Sequence, residues 1–193
     1  TYIFYGGALS DKDASSADVQ IAGEGTANSF GLSHVAGDFN NDGRTDLAVG
    51  GYKHTTNTGR IYIFFNDGSY PEYASTSDIT ITGDSTNDDF GYALATGDFN
   101  ADGKDDLVIG APGYDNGGDT GRIYFYETRE DYAWEIQRQS LSDGLRVDPL
   151  MGYEMKITGE ATGDYFSYSA ELADLNNDGK EDLIVGAFGY NSS

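Results

Sequence analysis

The run Asp38-Phe39-Asn40-Asn41-Asp42-Gly43-Arg44-Thr45-Asp46-Leu47-Ala48-Val49-Gly50 occurs three times with small changes. The second copy is Asp98-Phe99-Asn100-Ala101-Asp102-Gly103-Lys104-Asp105-Asp106-Leu107-Val108-Ile109-Gly110. The third is Asp174-Leu175-Asn176-Asn177-Asp178-Gly179-Lys180-Glu181-Asp182-Leu183-Ile184-Val185-Gly186. A phenylalanine (Phe30, Phe90, Phe166) stands eight residues before each first aspartate, and a glycine (Gly23, Gly83, Gly159) stands seven before the phenylalanine. Self-similarity at a fixed period marks a repeat architecture.

Around each run the sequence reads as four short strands. One enters the aspartate loop (Ser33 to Asp38) and one leaves it (Asp46 to Gly50). The third is Arg60-Ile61-Tyr62-Ile63-Phe64, matched by Arg122-Ile123-Tyr124-Phe125-Tyr126. The fourth is Ile79-Thr80-Ile81-Thr82, matched by Met155-Lys156-Ile157-Thr158. β-Branched and aromatic runs between Gly, Asn and Asp clusters are the signature of strands and hairpins. Four antiparallel strands about every 60 residues describe a β-propeller blade, so the expected fold is an all-β propeller of four-stranded antiparallel blades.

Thr1 to Phe4 aligns with the third strand, and Val19 to Ala22 with the fourth. The expected divisions are therefore 1–23 (strands 3 and 4 of a split blade), 24–83 (a blade), 84–159 (a blade with an insertion at about 127–154) and 160–193 (strands 1 and 2 of a split blade). That is three blade-equivalents per chain: two whole blades and two complementary halves. Three blades do not close a ring. The expected partner is a second copy, giving a homodimer that closes a six-bladed ring, the alternative being a piece of a longer propeller. Exposed sheet edges favour the dimer.

Asp-x-Asn-x-Asp-Gly-x-x-Asp is a chelating pattern. Side-chain oxygens at positions 1, 3 and 5 turn inward, and the glycine at position 6 permits a sharp turn. The backbone carbonyl of position 7 and the aspartate at position 9 complete an all-oxygen shell suited to Ca²⁺. The expected ligands are Asp38, Asn40, Asp42, Arg44 (carbonyl) and Asp46 in the first loop. They are Asp98, Asn100, Asp102, Lys104 (carbonyl) and Asp106 in the second, and Asp174, Asn176, Asp178, Lys180 (carbonyl) and Asp182 in the third. Magnesium fits less well, since it keeps several waters and takes few protein ligands. An EF-hand is rejected: its position 12 needs glutamate, and here it is Val49, Ile109 or Val185. Asn-Gly and Asp-Gly pairs also make plain hairpin turns, but three loops each with three close acids would repel without a cation.

The rest of the composition narrows the function. The 193 residues carry 33 acids and 11 bases, a formal charge of -22. Nucleic acid and anionic membranes would repel such a surface. Three Ca²⁺ would supply six positive charges and leave -16, so the role expected of calcium is structural, pinning each hairpin. With no cysteine, thiol catalysis and disulfides are excluded. No apolar run is long enough to span a bilayer, and the opening Thr1-Tyr2-Ile3-Phe4-Tyr5 lacks a charged n-region, so any signal peptide is expected to have been removed or to lie outside this sequence. His34 is expected in a structural role on an inner strand and His54 in a loop. No nucleophile elbow, phosphate loop or histidine metal site occurs, so the chain is not expected to be an enzyme.

Phe90-Gly91 with Gly110-Ala111-Pro112 resembles the FG-GAP repeat of integrin α-subunit propellers and related bacterial calcium-binding propellers. The other copies depart from it, with Gly50-Gly51-Tyr52 in the first and Phe166-Ser167 and Gly186-Ala187-Phe188 in the third. The resemblance implies calcium on the face of the strand 1–2 loops and partners on the opposite face. It also implies an extracellular or cell-surface module for adhesion or protein recognition. The alternatives are a carbohydrate-binding lectin and a non-catalytic scaffold of a larger secreted protein. Candidate partner contacts on the opposite face are Tyr52, Tyr114 and Tyr190, with packing between blades as the competing role. Trp134, beside Arg129, Arg138 and Arg146 in the insertion, is a further candidate, the alternative being a lid over the blade edge. Asn191-Ser192-Ser193 matches a glycosylation sequon.

Overall fold

The computed structural model describes residues 1–6, 13–25, 27–114, 118–128 and 155–190. Most of the insertion, including Trp134 and its arginines, and the sequon at 191–193 lie outside the described residues.

Among the described residues, twelve strands form four antiparallel sheets, each with its strands in chain order. β1 (Tyr2–Ile3) and β2 (Val19–Gln20) make a two-stranded sheet. β3 (His34–Gly37), β4 (Asp46–Gly51), β5 (Arg60–Phe64) and β6 (Ile79–Thr82) make the first four-stranded sheet. β7 (Ala93–Gly97), β8 (Asp106–Ala111), β9 (Arg122–Tyr126) and β10 (Met155–Thr158) make the second. β11 (Phe166–Ala173) and β12 (Asp182–Ala187) make the last pair. This is the architecture of β-propeller blades, two whole and two half.

Sheet-on-sheet packing follows from strand alternation. In β5, Ile61 and Ile63 face one way, into a core with Phe90, Leu94, Leu107 and Ile109 of the second sheet. Tyr62 and Phe64 face the other way, into a core with Ile21 of the first half-sheet. A third core joins Val108, Ile123 and Phe125 to Leu172 of the last pair. β4 and β8 are buried along their whole length, which is why they read as continuous apolar runs and not as alternations.

The seven-residue glycine-to-phenylalanine spacing has a steric cause. A Cβ on Gly23 would stand 2.8 Å from Phe30 Cβ, and one on Gly83 or Gly159 would stand 2.7 Å from Phe90 or Phe166 Cβ. The glycine lets the chain pass against the phenylalanine. The ring then meets a strand-3 tyrosine edge-on, Phe30 against Tyr62 and Phe90 against Tyr124, both at 5.3 Å between centroids.

Candidate metal centres

Each aspartate loop joins the first two strands of its sheet, so all three lie at the same end of their sheets. The backbone solution is the same each time. The N–H groups of positions 5 and 6 donate to the two oxygens of the position-1 carboxylate: Asp42 and Gly43 to Asp38 at 3.1 and 2.8 Å, Asp102 and Gly103 to Asp98 at 2.8 Å each, Asp178 and Gly179 to Asp174 at 3.1 and 2.9 Å. The position-5 N–H also donates to the asparagine Oδ1 at position 3, at 2.8–2.9 Å. The N–H of Arg44, Lys104 or Lys180 donates to the position-5 aspartate at 2.9–3.0 Å.

Two left-handed residues make this tight curl. Gly43, Gly103 and Gly179 have φ of 82°, 88° and 85°. Position 4 is left-handed as well, with φ of 56° at Asn41 and 60° at Ala101 and Asn177. Asparagine accepts that region readily, whereas Ala101 occupies it at a cost.

The position-9 aspartate is built differently. Asp46 is fully buried, and its two oxygens accept the N–H groups of Phe39 at 3.1 Å and Asn66 at 2.8 Å. Asp106 repeats this with Asn100 at 3.3 Å and Thr128 at 3.1 Å. Burial pushes both carboxyls up to about 6, against the opposing pull of those N–H groups. Asp182 is only half-buried and accepts from Leu175 and Asn176 within its own loop, at 3.0 and 3.3 Å.

Among the described residues, no three Asp, Glu or His side chains are already gathered around one point in a metal-holding arrangement. The donor set nevertheless fits a hard cation. Every polar side-chain atom at positions 1, 5 and 9 is a carboxylate oxygen, position 3 offers an amide oxygen, and the bonds above leave each carboxylate further lone pairs.

At the opposite end of the sheets, aromatic rings form a row. Tyr52, just past β4, meets Tyr92 edge-on at 5.0 Å, and Tyr92 meets Tyr168 at 4.6 Å. Tyr168 meets Phe188 at 4.6 Å, and Phe188 stacks on Tyr165 at 4.8 Å. Tyr114 is covered by the Arg122 guanidinium, 3.4 Å from its ring centre. Tyr190 is exposed. So Tyr52 and Tyr114 pack within and between sheets, while Tyr168, Phe188 and Tyr190 present surface to solvent. Tyr92, Tyr165 and Tyr168 were not singled out by sequence, although Tyr92 and Tyr168 share a position two residues after the repeat phenylalanine.

The histidines lie apart from the loops. His34 is exposed on β3 and not in an inner packed position. His54 Nε2 stands 3.3 Å from Glu24, which also receives Arg60 at 3.2 Å and the Tyr62 hydroxyl at 3.1 Å. Burial, then the Arg60 charge, lowers the His54 pKa.

Repeated four-stranded sheets with an Asx-rich loop between the first two strands define an FG-GAP propeller module. Residues 30–64 and 90–126 match the FG-GAP repeat family. The chain carries FG-GAP repeats and is homologous to integrin α subunits over most of its length. It is 31% identical over 180 residues to integrin alpha-IIb of Mus musculus, covering 88% of this chain and 16% of that protein. It is 34% identical over 177 residues to integrin alpha-7 of Mus musculus, covering 88% and 13%. A phosphatidylinositol-glycan-specific phospholipase D of Rattus norvegicus is 30% identical over 202 residues, covering 96% of this chain and 22% of that one. The chain thus spans between 13% and 22% of the length of these curated relatives. No helix among the described residues is long and apolar enough to cross a membrane.

Proposed function

We propose that the chain is a calcium-stabilised segment of a β-propeller that works outside the cell as a non-catalytic recognition module. The observation that carries this is the triplicate loop: three Asp-x-Asn-x-Asp-Gly-x-x-Asp runs fold the same way and offer only oxygen donors. Asp38, Asn40, Asp42, Asp46 and the Arg44 carbonyl would hold one Ca²⁺. The equivalent residues from Asp98 to Asp106 and from Asp174 to Asp182 would hold two more. When bound, the cation supplies charge neutralisation to a chain of formal charge -22 and cross-links each hairpin. The homology to integrin α subunits supports an extracellular adhesion or recognition role. Recognition then falls to the end opposite the loops, where Tyr168, Phe188 and Tyr190 are exposed.

Calorimetric titration with CaCl₂ tests the metal reading. The expected result is three sites per chain, with affinity in the range of roughly 10⁻⁴–10⁻³ M typical of extracellular modules. Each site held at ten times its dissociation constant adds about 1.4 kcal/mol of stability. No uptake at millimolar calcium, or uptake unchanged by replacing Asp42, Asp102 and Asp178 with alanine, would overturn it.

A further inference from the structure

Position 8 of the Asp-x-Asn-x-Asp-Gly-x-x-Asp run is not a ligand position, yet it carries Asp105 in the second loop and Glu181 in the third. A further acid adds repulsion to loops that already hold three close carboxylates each, so it needs a separate reason to be there. The reason is that both side chains leave their own loop and reach the preceding blade.

Asp105 is half-buried against the end of β3. Its Oδ2 accepts the backbone N–H of Asp38 at 2.8 Å, and a Cβ on Gly37 would stand 3.1 Å from the same oxygen. Gly37 ends β3 and directly precedes the first loop, so its missing side chain is what admits the carboxylate. Glu181 repeats the placement one blade further on. Gly97 ends β7 and directly precedes the second loop, and a Cβ on it would run into Glu181 Oε2. That oxygen is buried and accepts no hydrogen bond among the described residues.

The Asp105 bridge is tied to expected ligands at both ends. At one end stands Asp38, position 1 of the first loop, whose carboxylate accepts the Asp42 and Gly43 N–H groups at 3.1 and 2.8 Å. At the other end the Asp105 carbonyl accepts the Thr128 hydroxyl at 2.6 Å. Its neighbour Asp106 accepts the N–H groups of Asn100 at 3.3 Å and Thr128 at 3.1 Å. Asp105 therefore lies between two members of the second ligand set, the Lys104 carbonyl and Asp106. Whatever fixes those two fixes the backbone of Asp105, and the Asp105 carboxylate fixes where Asp38 begins its turn. The sheets concerned pack directly, β3 against β7 and β7 against β11.

We infer that Asp105 and Glu181 are positioning residues that couple neighbouring metal sites: a cation held in one loop orders the acid at position 8, which presets the first ligand of the preceding loop. The inference rests on the calcium reading above and deepens it. Linkage makes the effect reciprocal, so filling either loop of a pair raises the affinity of the other by the same factor.

Calcium titration of the full chain, followed through the amide resonances of Gly43, Gly103 and Gly179, reads the three loops separately. Silencing the second site with Asp102→Ala should weaken the first by about five- to tenfold, the lower part of the usual range for coupled sites. Asp105→Ala should weaken the first site to a similar degree, and adding Asp102→Ala to it should weaken that site no further. Asp105→Asn keeps an oxygen that can accept the Asp38 N–H, so it should restore most of the coupling, which a role for charge alone would not allow. Glu181→Ala should weaken the second site more than the first. A first-site affinity unchanged by Asp102→Ala overturns the coupling and leaves the metal reading intact. So does an Asp102→Ala loss that is the same with and without Asp105→Ala. Calcium that moves none of the three glycine resonances overturns both.

Discussion

The carboxylate of Asp105 accepts the backbone N–H of Asp38 at 2.8 Å, so the second aspartate loop holds the first residue of the first loop in place. The two loops belong to different sheets, and the bond crosses from one blade to the next. Asp105 occupies position 8 of its own loop and is not among the expected metal ligands, so its role can be separated from chelation. Replacing it with alanine should cost about 1.5–3 kcal/mol, the usual range for a hydrogen bond to a charged group. Chemical denaturation in chelator would measure this. A calcium titration of the same variant should keep three sites and weaken the first most. Unchanged stability would mean that the inter-blade bond contributes nothing.

Glycines 43 and 59 should respond very differently to alanine. Both have positive φ, 82° and 83°. A Cβ on Gly43 would meet nothing within 4 Å, so Gly43→Ala carries only the left-handed penalty of about 1–2 kcal/mol. A Cβ on Gly59 would run into the Phe90 carbonyl oxygen and backbone, at the junction between the two whole blades. Gly59→Ala should therefore separate the blades or fail to fold. Thermal melts of the two variants would rank them, and an equal loss at both positions would contradict the close approach.

Much of this was written in the sequence, and the remainder has identifiable physical reasons. Apolar and aromatic runs between Gly and Asx clusters place β4, β5, β8 and β9 within a residue, because those strands carry their own pattern. The spacing of Gly83 and Phe90 was visible as a number, but its cause, a backbone passing against a ring, exists only in three dimensions. Position 4 of the loops gave no warning of a left-handed residue at Ala101, since alanine does not advertise that conformation. Asp46 looked like one more ligand in a row of acids. Its second task, accepting the Asn66 N–H, depends on a residue 20 positions away, just past β5. The cluster of Glu24, His54, Arg60 and Tyr62 was equally hidden, because its members become neighbours only when sheets stack.

Asp89 should make stability depend on pH. Burial, reinforced by the Asp119 charge and opposed by Lys53, pushes its carboxyl up to about 6 from the ordinary 3.8. A carboxyl whose folded pKa is raised binds its proton more tightly in the folded state. Its contribution is fully present below 3.8 and is lost as pH rises through about 6. Asp89→Asn keeps the shape, and asparagine tolerates the φ of 55° found there. The variant should melt higher than the parent at pH 7.5, with the gap closing towards pH 4. Parallel melting curves across that range would exclude Asp89 as the source.

The three position-9 aspartates should not be equivalent in the isolated chain. Asp46→Ala strips partners from the N–H groups of Phe39 and Asn66 around a site with no solvent exposure, at about 1–3 kcal/mol for each buried group left unpaired. Asp106→Ala does the same to Asn100 and Thr128. Asp182→Ala disturbs two N–H groups and the Asn176 side-chain amide of its own exposed loop, all of which water can satisfy, so its cost should be well under half that of Asp46→Ala. Denaturation of the three variants in chelator isolates this comparison from metal. Equal costs at all three positions would show that Asp182 is as deeply tied into its sheet as Asp46 and Asp106.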